Sequence, residues 1–292
     1  MKKTYTEKGE NYLIKRDNVV KAIEYKIIKN IEIQDTLSKK NSFSNIRKIS
    51  KYEYEILDTG EKRKYKLGVK RSIRGLDRSM KNLKRTLKNN FSGAKNELFI
   101  TLTTKRNVTD VKQLKKIFQG FWKKFKKKFN DAEFVAVFEK HTSRNSWHIH
   151  MIVKASKHTV LNIPNNFIEE LWGYGFTKTS RITNIKKDNE LNEEDRISFK
   201  DKIAETFGID KVINYMCKSK TKEEMPSGER CYETSKGIKR PVITQVKYDE
   251  IRARMGNRYK LKSAYTRLVR NSSTDAIVNK VKTEIWKENA EQ

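Results

Sequence analysis

Apolar residues in the middle of the chain alternate between two periods. ELFITLTT (97–104) is dense in β-branched and apolar residues and reads as a buried strand. Val111, Leu114, Ile117, Phe118, Phe121, Trp122 and Phe125 then recur at helical spacing, with lysines on the opposite face. Asp110 and Gln113 form a capping box at the start of that helix. EFVAVFEK (133–140) and WHIHMIVK (147–154) read as two more strands, and the polar HTSRNS (141–146) between them suits an antiparallel hairpin. A helix around 164–172 ends at Gly173, where glycine supplies a left-handed cap, and FTKTSRITNI (176–185) is a fourth strand. Helical patterning returns over Ile203 to Phe207 and at Ile209, Val212, Ile213 and Met216. This order is not a repeated parallel unit. It predicts an α+β fold, an antiparallel sheet with helices packed on one face, related to the ferredoxin-like arrangement.

The flanks are less regular. YEYEIL (52–57) and KYKLGV (64–69), joined by DTGEKR, read as a hairpin. In 71–91, Ile73, Leu76, Met80, Leu83 and Leu87 sit at helical spacing, and Asn89, Asn90, Ser92 and Gly93 mark a turn after it. KKDNELNEED (186–195) and KSKTKEEMPSGER (218–230) read as loops, and 246–287 as a final helical segment. The expected organisation is a basic N-terminal DNA-binding region (1–95), a central domain (96–245) and a C-terminal helical segment (246–292).

Charge narrows the choice of partner. The formal net charge is +30, and residues 1–95 alone carry 26 Lys and Arg against 11 Asp and Glu. So large a positive excess attracts polyanions, and inside a cell the default polyanion is nucleic acid. The sequence is also rich in Lys, Asn and Ile, a bias that adds lysine without functional demand. The face of the 71–91 helix carrying Arg71, Arg74, Arg78, Lys81, Lys84 and Arg85 is the candidate phosphate-contacting surface. With two cysteines, Cys217 and Cys231, neither a disulfide framework nor a four-thiolate zinc site can be built. No run approaches the ~20 apolar residues of a membrane span, and no apolar stretch follows the basic N-terminus. The expectation is a reduced cytoplasmic protein without a membrane partner.

Histidine is scarce, four in the chain, yet His141, His148 and His150 fall within ten residues. His148 and His150 stand at i, i+2 on a strand, so both imidazoles share one face while Trp147, Ile149, Met151 and Val153 take the other. A hairpin with a loop of about six residues brings Glu139 beside the pair. One carboxylate and two imidazoles form an open mixed site suited to Mn²⁺ or Mg²⁺. His141 is a loop histidine, either solvated or supporting. A basic protein with an open cation site still needs a nucleophile. In VINYMCKSK, Tyr215 and Lys218 lie at i, i+3 on one helical face, where a lysine would favour the phenolate. Tyr-x-x-Lys recurs at Tyr5, Tyr12 and Tyr259, so position decides: Tyr215 follows the histidine strand by one strand, one loop and one helix.

The succession FITLTT (99–104), WHIHMIV (147–153) and YMCK (215–218) resembles the three motifs of HUH endonucleases in their replication-initiator order. LWGYGF (171–176) and RCYETSKGIKRP (230–241) resemble segments of bacterial plasmid and phage initiators of this kind. The resemblance covers about residues 71–241. It implies a metal-dependent rolling-circle initiator with Tyr215 as nucleophile, Lys218 as its helper, and Glu139, His148 and His150 as metal ligands. The implied substrate is origin DNA exposed as a single strand. A single tyrosine in the third motif, where some relatives have two, implies a second subunit or another route to finish the cycle. No Gly is followed by Lys, so a phosphate-cradling helicase loop is absent and a separate helicase and polymerase are expected. Two alternatives stand beside this reading: a single-tyrosine transposase or mobilisation relaxase, and a non-enzymatic nucleic-acid-binding sheet. Against the last, Phe99, Phe134 and Phe138 are expected to be buried.

Overall fold

The structure is a computed structural model that describes residues 14, 18–36, 46–50, 53–57, 59–64, 73–141, 144–182, 208–218, 222–226, 228–270 and 277–289. The expected helix at 203–207 and loop at 186–195 lie outside these residues. The chain divides into two compact units, one of residues 68–240 and one combining 1–67 with 241–292. These boundaries differ from the expected 1–95, 96–245 and 246–292. The reason is pairing and packing: the 73–90 helix packs in the central unit, and the chain after 241 returns to pair with an N-terminal strand.

In the combined unit, β1 (Val19–Glu24), β2 (Asn30–Thr36), β11 (Val242–Lys247), β12 (Tyr259–Arg270) and β13 (Ile277–Glu288) form an antiparallel sheet in the order β11-β1-β2-β13-β12. Val20, Ala22, Ile31 and Ile33 alternate onto one face and pack against Tyr248, Ile251 and Met255 of α5 (Tyr248–Met255). A single 3₁₀ turn, Gly256–Arg258, follows α5. β3 (Ile46–Lys48), β4 (Glu53–Ile56) and β5 (Lys62–Lys64) make a small antiparallel sheet. Its β4–β5 hairpin is the expected one, with the second arm starting at 62. The expected C-terminal helix is corrected: beyond Met255 the chain forms β12 and β13. Val281, Thr283 and Ile285 alternate with Lys280, Lys282 and Glu284, a period of two that pairs with β2.

The central unit holds the second sheet, in the order β10-β7-β8-β6-β9. Its strands are β6 (Glu97–Leu102), β7 (Ala132–Lys140), β8 (Trp147–Ala155), β9 (Thr177–Arg181) and β10 (Tyr232–Thr234). All neighbours pair antiparallel. Its helices are α1 (Ile73–Asn90), α2 (Val111–Lys128), α3 (Asn165–Trp172) and α4 (Ile209–Met216). The α+β class and antiparallel sheet are as expected, but the helices occupy both faces. Phe118 of α2 meets Phe134 and Phe138 edge-on at 5.1 and 5.8 Å on one face. Tyr215 of α4 meets Phe99 on the other, the face that also carries His150. Strand residues are buried on both sides as a result, Val137 as fully as Phe138. Asp110 caps α2 through Lys112 N–H, and Gly173 closes α3 at φ 68.

Candidate active site

The β7–β8 hairpin sets the geometry. Its register puts Glu139 directly opposite His148, and Val137 opposite His150. Side-chain alternation then places Glu139, His148 and His150 on one face. Nε2 of His148 lies 2.9 Å from Nε2 of His150, and Oε2 of Glu139 lies 3.8 Å from His150 Nε2. One donor atom from each residue falls within 4.8 Å of the others. Glu139 and His150 are buried and His148 is half-buried.

Three neighbours shape this cluster. Thr101 on β6 stands opposite His150 in register, with Oγ1 3.0 Å from Nδ1. Phe99, one step along the same face, stacks on the His150 ring at a centroid distance of 5.7 Å. Tyr215, near the C-terminal end of α4, brings its hydroxyl to 3.0 Å from His150 Nε2. Assigning the His150 proton to Nδ1 satisfies both contacts: Nδ1–H donates to Thr101, and Nε2 accepts from the phenol. Nδ1 of His148 is buried and has no hydrogen-bond partner among the described residues.

Burial is the largest cause that lowers the His148 pKa, to about 4, aided by the charges of His141, Lys222 and Arg144. Burial, then His148 and Lys222, hold His150 well below its ordinary value. Both rings are therefore neutral at neutral pH, the form in which imidazole binds a metal. The donor set fits a divalent cation: two neutral nitrogens and one carboxylate oxygen converge, and His150 has its far nitrogen tied by a hydroxyl. The Tyr215 phenol is raised, first by burial and then by the Glu139 charge. Lys218 Nζ lies 5.0 Å from the centroid of the Tyr215 ring, a cation–π position. The expected lowering of the phenol by that lysine is corrected: desolvation and the carboxylate outweigh it.

Residues 97–224 match a family model of replication-associated proteins of the ORF2 type. This supports a replication-initiator role for the chain. The match opens at the first residue of β6 and covers less than half of the chain, yet it encloses Phe99, Thr101, Glu139, His148, His150, Tyr215 and Lys218. No curated protein and no solved structure matches. The basic helix α1 precedes the matched residues. Arg71 lies outside the described residues, and Arg74 falls in the first turn of α1. Arg78, Lys81 and Lys84 are exposed and Arg85 is half-buried. Lys84 donates to Oδ1 of Asn214 at 2.9 Å, which ties α1 to the helix carrying Tyr215. His141 is half-buried, its ring 5.6 Å from that of His148. No helix among the described residues is long and apolar enough to cross a membrane.

Sequence reasoning missed two members of the cluster. Thr101 was legible in principle, being two residues after Phe99 on a strand. Lys222 was not. Its side chain is fully buried, with Nζ 2.6 Å from Oε1 of Glu139 and 2.8 Å from the Lys218 carbonyl. It comes from a polar loop that reads as solvated.

Proposed function

We propose that the chain is a rolling-circle replication initiator of the HUH type, which nicks one DNA strand and holds its 5′ end on Tyr215. The observation that carries this reading is the Tyr215 hydroxyl 3.0 Å from Nε2 of a histidine that also belongs to a Glu-His-His donor set. Glu139, His148 and His150 would hold Mn²⁺ or Mg²⁺, which supplies charge withdrawal from a phosphate oxygen.

The chain's own residues do the rest. Phe99 and His150 fix the phenol ring by packing and hydrogen bonding, which holds the nucleophile in one place. Tyr215 Oη loses its proton and bonds to phosphorus, and the bond from phosphorus to the 3′ oxygen breaks. That oxygen takes up a proton and becomes a free 3′-hydroxyl able to prime synthesis. One phosphodiester replaces another, so a 3′-hydroxyl attacking the phosphotyrosine rejoins the strand. Lys218, over the ring and not at the hydroxyl, adds positive charge beside the incoming phosphate. Basic residues of α1 hold flanking DNA.

The test uses single strands from the replicon encoding the chain, incubated with the full-length protein and Mn²⁺. Wild type forms a covalent protein–DNA adduct resolved on a denaturing gel, and Tyr215→Phe forms none. An adduct persisting in that variant overturns the assignment.

A further inference from the structure

We propose that Phe176 is a base-stacking platform for single-stranded DNA, placed on the same face of the sheet as the Glu139-His148-His150 cluster. The inference rests on the strand-nicking reading and adds to it the place where a neighbouring base is held.

Three adjacent strands set the position. His150 on β8 pairs with Thr101 on β6, and Thr101 pairs with Lys178 on β9. The ladder continues beyond the strand ends, because Thr103 N–H donates to the Phe176 carbonyl at 2.9 Å and Lys105 N–H to that of Tyr174 at 2.9 Å. Thr177 and Thr179 turn their hydroxyls to Asn165 of α3. Lys178 and Phe176, which alternate with them, therefore face the other way, towards the side of Thr101 and His150. Phe176 stands about 10 Å from the histidine strand across two strand spacings, and roughly 7 Å further along. That is within reach of a base close to the scissile phosphate.

The surface suits such a ligand. Phe176 is 65% exposed, while Trp172 in the same LWGYGF segment is 0% exposed and core. Lys105, Arg106 and Lys178 beside it are exposed cations. An aromatic face rimmed by cations stacks a base and meets its phosphates. The backbone under it is pre-organised. Thr103 Oγ1 also donates to the Phe176 carbonyl at 2.9 Å, and a Cβ on Gly175 would lie 2.6 Å from Lys105 N and Thr103 O, so glycine alone allows this approach.

The test measures binding of fluorescein-labelled oligothymidylate to the full-length chain by anisotropy, without added metal. Phe176→Ala weakens binding roughly tenfold, a loss that Phe176→Trp restores. On an abasic strand of the same length, wild type and Phe176→Ala bind alike. An unchanged affinity for oligothymidylate, or an equal loss on the abasic strand, overturns the proposal. The nicking reading fails separately: if wild type yields no adduct while Phe176→Ala still weakens binding, the platform stands and the endonuclease does not.

Discussion

Lys222 holds one oxygen of Glu139 and leaves the other to the histidines. Its Nζ is 2.6 Å from Oε1, while Oε2 faces His150 Nε2 at 3.8 Å, and both side chains are nearly out of solvent. The same ammonium grips the Lys218 carbonyl, just past the helix that bears Tyr215. One buried cation thus orients the carboxylate ligand and anchors the chain beside the phenol. Losing one partner of a buried ion pair leaves the other charge uncompensated. Lys222→Met is therefore expected to cost about 3–5 kcal/mol in urea denaturation. Glu139→Gln combined with Lys222→Met recovers part of that loss, since neither charge is then stranded. Additive losses in the double variant would remove the ion pair from the account.

The histidine pair makes stability depend on pH in a definite direction. An unfolded histidine takes up a proton near 6.5, whereas His148 in the folded chain does so only near 4. Between those values the unfolded state binds more protons, so stability falls as pH falls through that window and is unaffected above it. His150, also shifted down, acts in the same sense. Thermal melts of the metal-free protein should drop steadily from pH 6.5 towards 4, and His148→Gln should flatten the slope. An equal slope in that variant would mean that other groups set it.

What could be read from sequence was local. The 133–140 and 147–154 strands each show clear patterning, and a short loop between them leaves few registers, so the neighbourhood of Glu139, His148 and His150 was legible. Where pairing is long-range, the signal was ambiguous. Leu261, Tyr265 and Leu268 satisfy helical spacing, yet β12 is a strand because β13 links it to β2 from the far end of the chain. Tyr259, one of the rival Tyr-x-x-Lys tyrosines, lies at the start of that strand in the other unit. Lys222 carried no pattern at all, being one of 66 Lys and Arg residues in a polar loop. Only folding the segment after α4 back under Glu139 reveals it.

Thr101 fixes the tautomer of His150 through the 3.0 Å contact to Nδ1. Thr101→Val keeps the branched shape but removes that partner, so the ring is free to carry its proton on Nε2, where a cation needs a lone pair. Mn²⁺ affinity measured by calorimetry is expected to fall about tenfold, as for other residues supporting a metal-bound histidine. The melting temperature of the metal-free protein should barely move, because Thr101 is only half-buried. Equal Mn²⁺ binding by wild type and variant would show that Thr101 is packing alone.

Arg78 and Lys81 project from α1 into solvent, whereas Lys84 on the same helix is engaged by Asn214. If α1 follows the DNA backbone, each exposed cation releases counterions when a phosphate replaces them. The slope of log affinity against log salt then falls by about 0.7 for each single-strand phosphate that is no longer neutralised. Arg78→Gln and Lys81→Gln should each lower the slope by that amount, with little change in fold. Lys84→Gln should behave differently: besides any change in slope, it frees α4 and slows adduct formation even when DNA is saturating. A slope identical to wild type in all three variants would remove α1 from the DNA path and leave the phosphates to other basic surfaces.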